Sequence, residues 1–211
     1  MIFKDRRQAG KLLADKLTVF NNKDNVVVVG ITRGGIVVAK EIAVALNLQL
    51  DLIVVKKIGA LNNPELAIGA VGPAKTVFWD KDLCTRLSVS EKEKQKSLKV
   101  KNQERLKLEK FLRKIKPAIK LKNKIAILVD DGVATGSTVL CAQKYFKKQK
   151  TNKIILATPV IAKDTLRSIN EYFDDVIILE VPDEFYAIGQ FYKDFTQVSD
   201  KEVIKILNKN Q

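Results

Sequence analysis

Residues Ile127 to Val139 read ILVDDGVATGSTV: an apolar run, two adjacent carboxylates, a turn rich in glycine and hydroxyls, and the start of a helical pattern. The apolar run from Ile125 to Val129 suits a strand buried on both faces, the signature of a parallel sheet. Asp130 and Asp131 then stand at its carboxyl end, where open α/β sheets bind ligands. Thr135, Gly136, Ser137 and Thr138 follow at the amino end of the next helix, where unpaired N–H groups and the positive end of the dipole attract an anion. Gly136 lets the backbone approach a phosphate closely, and the three hydroxyls can donate to phosphate oxygens. Two neighbouring carboxylates repel one another unless sugar hydroxyls or a divalent cation such as Mg²⁺ satisfy them. The Asp-Asp-Gly tripeptide alone is equally readable as a solvated turn. The thirteen residues together predict a sugar-phosphate site.

Outward from this string the chain alternates strands and helices. Val26 to Val29, Leu50 to Val55, Lys124 to Val129, Ile154 to Ala157 and Val176 to Leu179 read as strands. Asp5 to Phe20, Gly35 to Leu46, Ser137 to Lys148 and Lys163 to Asn170 read as helices. Right-handed crossovers then predict an α/β fold, a doubly wound and mainly parallel five-stranded sheet. Leu66 to Val71 and Thr76 to Trp79, joined by GPAK, predict a pair of strands off the main path. A helical appendage begins at Asp80, so a basic strand-pair and helical insertion spans about 60–120 of one domain covering residues 1–211.

Two further strand ends carry candidate ligand groups. The first strand runs into Gly30-Ile31-Thr32-Arg33-Gly34-Gly35 immediately before a helix. Two glycines and a cation there suit an anion, although the glycines can equally serve the turn alone. The string is neither GxGxxG nor GxxxxGK[ST], which argues against dinucleotide and P-loop sites. The second strand runs into Lys56 and Lys57, which either face a polyanion or end the strand in water.

With 211 residues and 46% hydrophobic content, the chain is long enough for one buried core and short for two. It contains no histidine, so His-based triads and His-ligated metals are excluded. Cys84 and Cys141 lie in unrelated segments and read as reduced structural thiols. No apolar stretch reaches the roughly 20 residues of a membrane helix, and the amino terminus has no signal-type apolar region, so a cytoplasmic location is expected. The net charge is +14, and the eleven Lys/Arg against four Asp/Glu from Glu91 to Lys116 supply +7 of it. That Gly-free stretch predicts a long helix with Leu108, Phe111, Leu112 and Ile115 on its packed face. Its lysines either form a solvated face or a surface for a polyanion.

Asp130-Asp131 with Thr135-Gly136-x-Thr138 resembles the phosphoribosyl-pyrophosphate (PRPP) motif of the type I phosphoribosyltransferases. GITRGGIVVAKEIA, VVKKIGALNNPELAIGAV and EFYAIGQFYKDFTQVSDKEV are similar to a bacterial and archaeal branch of that family. The resemblance implies Asp130 and Asp131 as catalytic and metal-facing acids on the ribose, with Mg²⁺ as cofactor. It implies Gly132, Val133, Ala134, Thr135, Gly136, Ser137 and Thr138 as the 5-phosphate loop. Arg33, Gly34, Gly35 and Lys56 would hold pyrophosphate, with Lys57 beside them as a catalytic cation. A water-excluding flap would lie in Gly59 to Gly72, around Asn62-Asn63-Pro64. Ala134 stands where purine-specific relatives carry a carboxylate. Phe185 or Tyr186 would form the floor under a base-like acceptor, unless these aromatics fill a core. The resemblance further implies a homodimer and transfer from PRPP to a nitrogenous base. The alternative is a PRPP-sensing regulator in which the basic helix contacts nucleic acid.

Overall fold

The computed structural model describes residues 1–60 and 63–208. Its main sheet orders the strands β2-β1-β6-β7-β8: β1 (Val26–Ile31), β2 (Gln49–Ile53), β6 (Ile125–Val129), β7 (Lys153–Val160) and β8 (Asp175–Glu180). Every neighbouring pair is parallel. Alternation along the strands divides the interior in two. Val26, Val28, Ile127, Val129, Ile155 and Ala157 enter one core with α1 (Arg6–Lys16), α2 (Gly34–Ala45) and α7 (Asp200–Asn208). Val27, Val29, Ala126, Leu128, Ile154 and Leu156 enter the other with α5 (Ser137–Lys148) and α6 (Lys163–Ile169). Apolar residues on both faces explain why these strands read as continuous hydrophobic runs. The expected doubly wound α/β architecture is present.

The off-path strands differ from expectation in number. A three-stranded antiparallel sheet stands where two strands are predicted: β3 (Lys56–Ala60), β4 (Asn63–Val71) and β5 (Val77–Trp79). Lys56 and Lys57 therefore open β3, opposite Val71 and Ala70, instead of trailing from β2. Pairing irregularities on either side of Gly59 break the alternation that would have marked β3 as a strand. Of the predicted flap, Gly59 and Ala60 end β3 and Asn63–Val71 form β4, while Leu61 and Asn62 lie outside the described residues.

Next come α3 (Lys81–Arg86) and the basic helix α4 (Glu91–Arg113). A reciprocal capping box starts α4: Glu93 N–H donates to Ser90 Oγ at 3.3 Å, and Ser90 N–H donates to Glu93 at 2.7 Å. Leu112 is fully buried and Leu108 and Ile115 pack beside it, whereas Phe111 is 45% exposed, against expectation. The far end of α4 is tied to the sheet by charge. Buried Asp51 on β2 accepts from Arg113 Nη1 at 2.6 Å and from the Ile119 amide at 3.0 Å. Among the described residues no helix is long and apolar enough to cross a membrane.

Candidate active site

Strand β6 delivers Asp130 and Asp131 to the carboxyl edge of the sheet, where both are buried. The two acids have different surroundings. Asp130 accepts from the Asp131 amide at 3.0 Å and from Thr138 Oγ1 at 3.4 Å. Burial pushes its carboxyl well above the usual carboxylate range, the Asp131 charge adds to this, and Lys57 opposes it. Asp131 instead has a full ion pair, Arg6 Nε to Oδ2 at 2.6 Å, and its carbonyl accepts from the Tyr192 hydroxyl at 2.6 Å.

The segment after the acids is laced to its neighbours. A Cβ on Gly132 would lie 2.4 Å from Ile188, so only a hydrogen fits there. The Val133 amide donates to the Val160 carbonyl at 2.9 Å, and the Ala134 carbonyl accepts from Thr165 Oγ1. Gly136 has φ +75°, a left-handed turn that favours glycine. Thr135 and Ser137 exchange a hydroxyl hydrogen bond at 3.2 Å. Among the described residues no acceptor meets the amides of Thr135, Gly136 and Ser137. These amides and hydroxyls form a donor-rich turn at the amino end of α5, fitted to an anion.

The loop after β1 touches the acids directly. A Cβ on Gly34 would fall 1.8 Å from Asp131 Oδ2, and one on Gly35 would fall 2.5 Å from the Val129 carbonyl. Gly34 thus leaves room for the Asp131 carboxylate, and Gly35 for the approach of the β6 backbone. The peptide between Thr32 and Arg33 is cis. Arg33 is paired through Nε with Asp200 Oδ1 at 2.8 Å, where α7 begins. Lys56 belongs to the same charge cluster: burial lowers its pKa, Arg33 and Lys101 lower it further, and Glu104 and Asp200 raise it. Arg33, Lys56, Lys57, both acids and the donor-rich turn therefore stand together.

The predicted acceptor residues separate. Phe185 packs on Phe191 with ring centroids 5.3 Å apart, in a cluster that also holds Tyr192, Ile188 and Phe195. Tyr186 is 83% exposed and covers nothing. Three residues outside the predicted set also reach the site: Arg6, Tyr192 and Asp200. Arg6 lies in DRRQ, where nothing distinguishes it from the exposed Arg7. For Asp200 a signal existed: Ser199 and Glu202 form a capping box ahead of Val203, Ile206 and Leu207.

The family model described as phosphoribosyl transferase domain matches residues 5–196. Two curated proteins of Mycobacterium tuberculosis strains, each named "Putative phosphoribosyl transferase", are 37% identical over 210 residues, or 99% of this chain. The chain spans about half the length of these relatives, 47%. Among solved structures, a protein from Thermus thermophilus superposes with TM-score 0.82 at 33% identity, covering 99% of both chains. The purine phosphoribosyltransferase of Pyrococcus horikoshii shares the fold at 17% identity with TM-score 0.51, covering 92% of this chain and 93% of its own.

Proposed function

The chain belongs to the phosphoribosyl transferase family, and from that premise we propose that it transfers the 5-phosphoribosyl group of PRPP to a nitrogenous base or related acceptor. The observation that carries this reading is the meeting of three segments at one sheet edge: the β1 loop against both acids, Thr138 at the head of α5 on Asp130, and the start of β3, where the Lys57 charge acts on Asp130. Each offers what one portion of PRPP requires. The turn from Gly132 to Thr138 receives the 5-phosphate through amides and hydroxyls. Asp130 and Asp131 accept from the ribose hydroxyls. Arg33, Lys56 and Lys57, with the backbone at Gly34 and Gly35, neutralise pyrophosphate as its oxygen leaves the anomeric carbon with the bonding pair and an acceptor nitrogen replaces it. Phe185, on the aromatic cluster beyond Ile188, is the acceptor-side residue; the exposed Tyr186 is the weaker candidate. Ala134 supplies no carboxylate for proton transfer at the acceptor. The protein acts in the cytoplasm, as a homodimer.

Among the described residues no three His, Cys, Asp or Glu side chains gather into a metal cluster. Asp130 and Asp131 alone, with one Asp131 oxygen already paired to Arg6, suit an Mg²⁺ ion brought by the substrate, since Mg²⁺ commonly takes one or two carboxylates plus substrate phosphates. Bound there, the ion would add charge neutralisation at the leaving group.

Calorimetric titration with PRPP and Mg²⁺, followed by a pyrophosphate-release screen over purines, pyrimidines and related amines, tests the reading. Joint Asp130→Asn and Asp131→Asn substitution is expected to abolish binding and turnover. Unchanged behaviour removes the acids from the chemistry.

A PRPP-sensing regulator that binds nucleic acid is the second reading, favoured by the outer face of α4. Lys92, Lys96, Lys99, Lys107, Lys110 and Lys114 are exposed and lie within roughly 80° of arc at 3.6 residues per turn. Salt-dependent nucleic-acid binding that PRPP modulates, without pyrophosphate release against any acceptor, would select it.

A further inference from the structure

We infer that Arg6 is a positioning residue for Asp131, fixing which oxygen of that carboxylate is left for a ligand. The inference rests on the PRPP reading above. Arg6 belongs to α1, outside the acid motif, yet its side chain is only 10% exposed. Its guanidinium is held on three sides. Nε donates to Asp131 Oδ2 at 2.6 Å, Nη1 donates to the Thr196 carbonyl at 3.0 Å, and the plane lies 3.8 Å from the Phe195 ring centroid. Phe195 in turn stacks on Tyr192 at 5.0 Å, and Tyr192 donates to the Asp131 carbonyl. Gly34 closes the remaining side of the carboxylate.

A buried ion pair is a poor device for stability, because desolvating two charges consumes most of what their attraction returns. Orientation is what the arrangement supplies. Arginine's planar fork can stack on Phe195 while directing one N–H at one oxygen; a lysine ammonium has no such plane. With Oδ2 taken by Arg6 and the Asp130 carboxyl close enough to share a side-chain hydrogen bond with Asp131, Oδ1 is the oxygen left to face a sugar hydroxyl. Asp131 therefore acts through one oxygen, with a rotamer that α1 and the carboxyl-terminal segment jointly set. Partners that orient a binding carboxylate in this way are worth about 10–100-fold in affinity or activity.

The test is a double-mutant cycle read by calorimetric PRPP affinity in Mg²⁺ on the full chain. Arg6→Lys in the wild-type background is expected to weaken PRPP about 10–100-fold, and in an Asp131→Asn background to add nothing further. Undiminished affinity in Arg6→Lys overturns the inference, as does an equal loss in both backgrounds, which would mean that Arg6 acts on the fold and not through Asp131. If Arg6→Lys does not fold, Phe195→Leu, which removes the stacking plane, takes its place in the same cycle with the same expectations. A wild-type protein that binds no PRPP overturns the functional reading, and this inference with it; binding with an additive cycle overturns the inference alone.

Discussion

Replacing Gly34 with alanine sets two well-understood effects against each other. Gly34 is the first residue of α2, and a glycine-to-alanine change in a helix ordinarily stabilises by up to about 1 kcal/mol. Here the new methyl would sit 1.8 Å from Asp131 Oδ2, 2.5 Å from its Cγ and 3.0 Å from Oδ1. Real Cβ atoms do not approach closer than about 3.0 Å, so the carboxylate must retreat by at least 1.2 Å. It cannot do so freely, because Arg6 grips Oδ2 at 2.6 Å and Tyr192 holds the Asp131 carbonyl. Displacing the acid leaves the enclosed Arg6 without its partner, and a broken buried pair costs about 3–5 kcal/mol. Less the helical gain, Gly34→Ala is expected to destabilise by about 2–4 kcal/mol, which for a chain of this size lowers Tm by about 5–15 °C. Thermal unfolding followed by circular dichroism measures it. The same substitution in an Asp131→Ala background should be neutral or stabilising. A Tm in the wild-type background that is unchanged or raised would refute the clash and the rigidity assigned to the pair.

Burial and the neighbouring Asp131 raise the Asp130 pKa, so Asp130 binds a proton more tightly folded than unfolded. Its stabilising contribution is complete below the ordinary carboxylate range and is lost as pH rises through the folded value. Asp130→Asn should therefore raise the Tm of the ligand-free protein at pH 7, with an advantage that shrinks towards pH 4; a pH-independent difference would contradict this. Burial pushes the Cys141 thiol up to about 12 and raises that of Cys84 as well. Neither should react with an aromatic disulfide reagent at pH 8 until the chain unfolds, and rapid labelling of the native protein would disprove their enclosure. Asp51→Ala removes the carboxylate partner of Arg113, which keeps the Leu52 carbonyl, and strands the Ile119 amide, so urea unfolding should show a loss of about 1–3 kcal/mol. Tyr186→Ala should leave the same midpoint within about 0.5 kcal/mol, since the ring is exposed.

The five parallel strands were legible because each is apolar on both faces, and the acid pair and phosphate turn were legible because their spacing is local. β3 was not, because KKIGA lacks alternation and carries an irregularity at Gly59. The amphipathic face of α4 was read correctly at Leu112 and wrongly at Phe111, since the helix meets the body over a narrow stripe. The partners of the site were hardest to see. Arg6, Tyr192 and Asp200 lie 125, 61 and 167 positions from the residues they hold; the capping box marks Asp200 as the start of a helix, but nothing local names the partner of any of the three.

The pairing of Arg33 with Asp200 engages Nε alone and leaves the two terminal amino groups of the fork to a guest. An oxygen laid against those groups meets a guanidinium whose inner edge is already fixed by α7, so the arginine does not have to find its direction when the guest arrives. The start of the last helix and the loop after β1 thus hold one aimed donor fork between them.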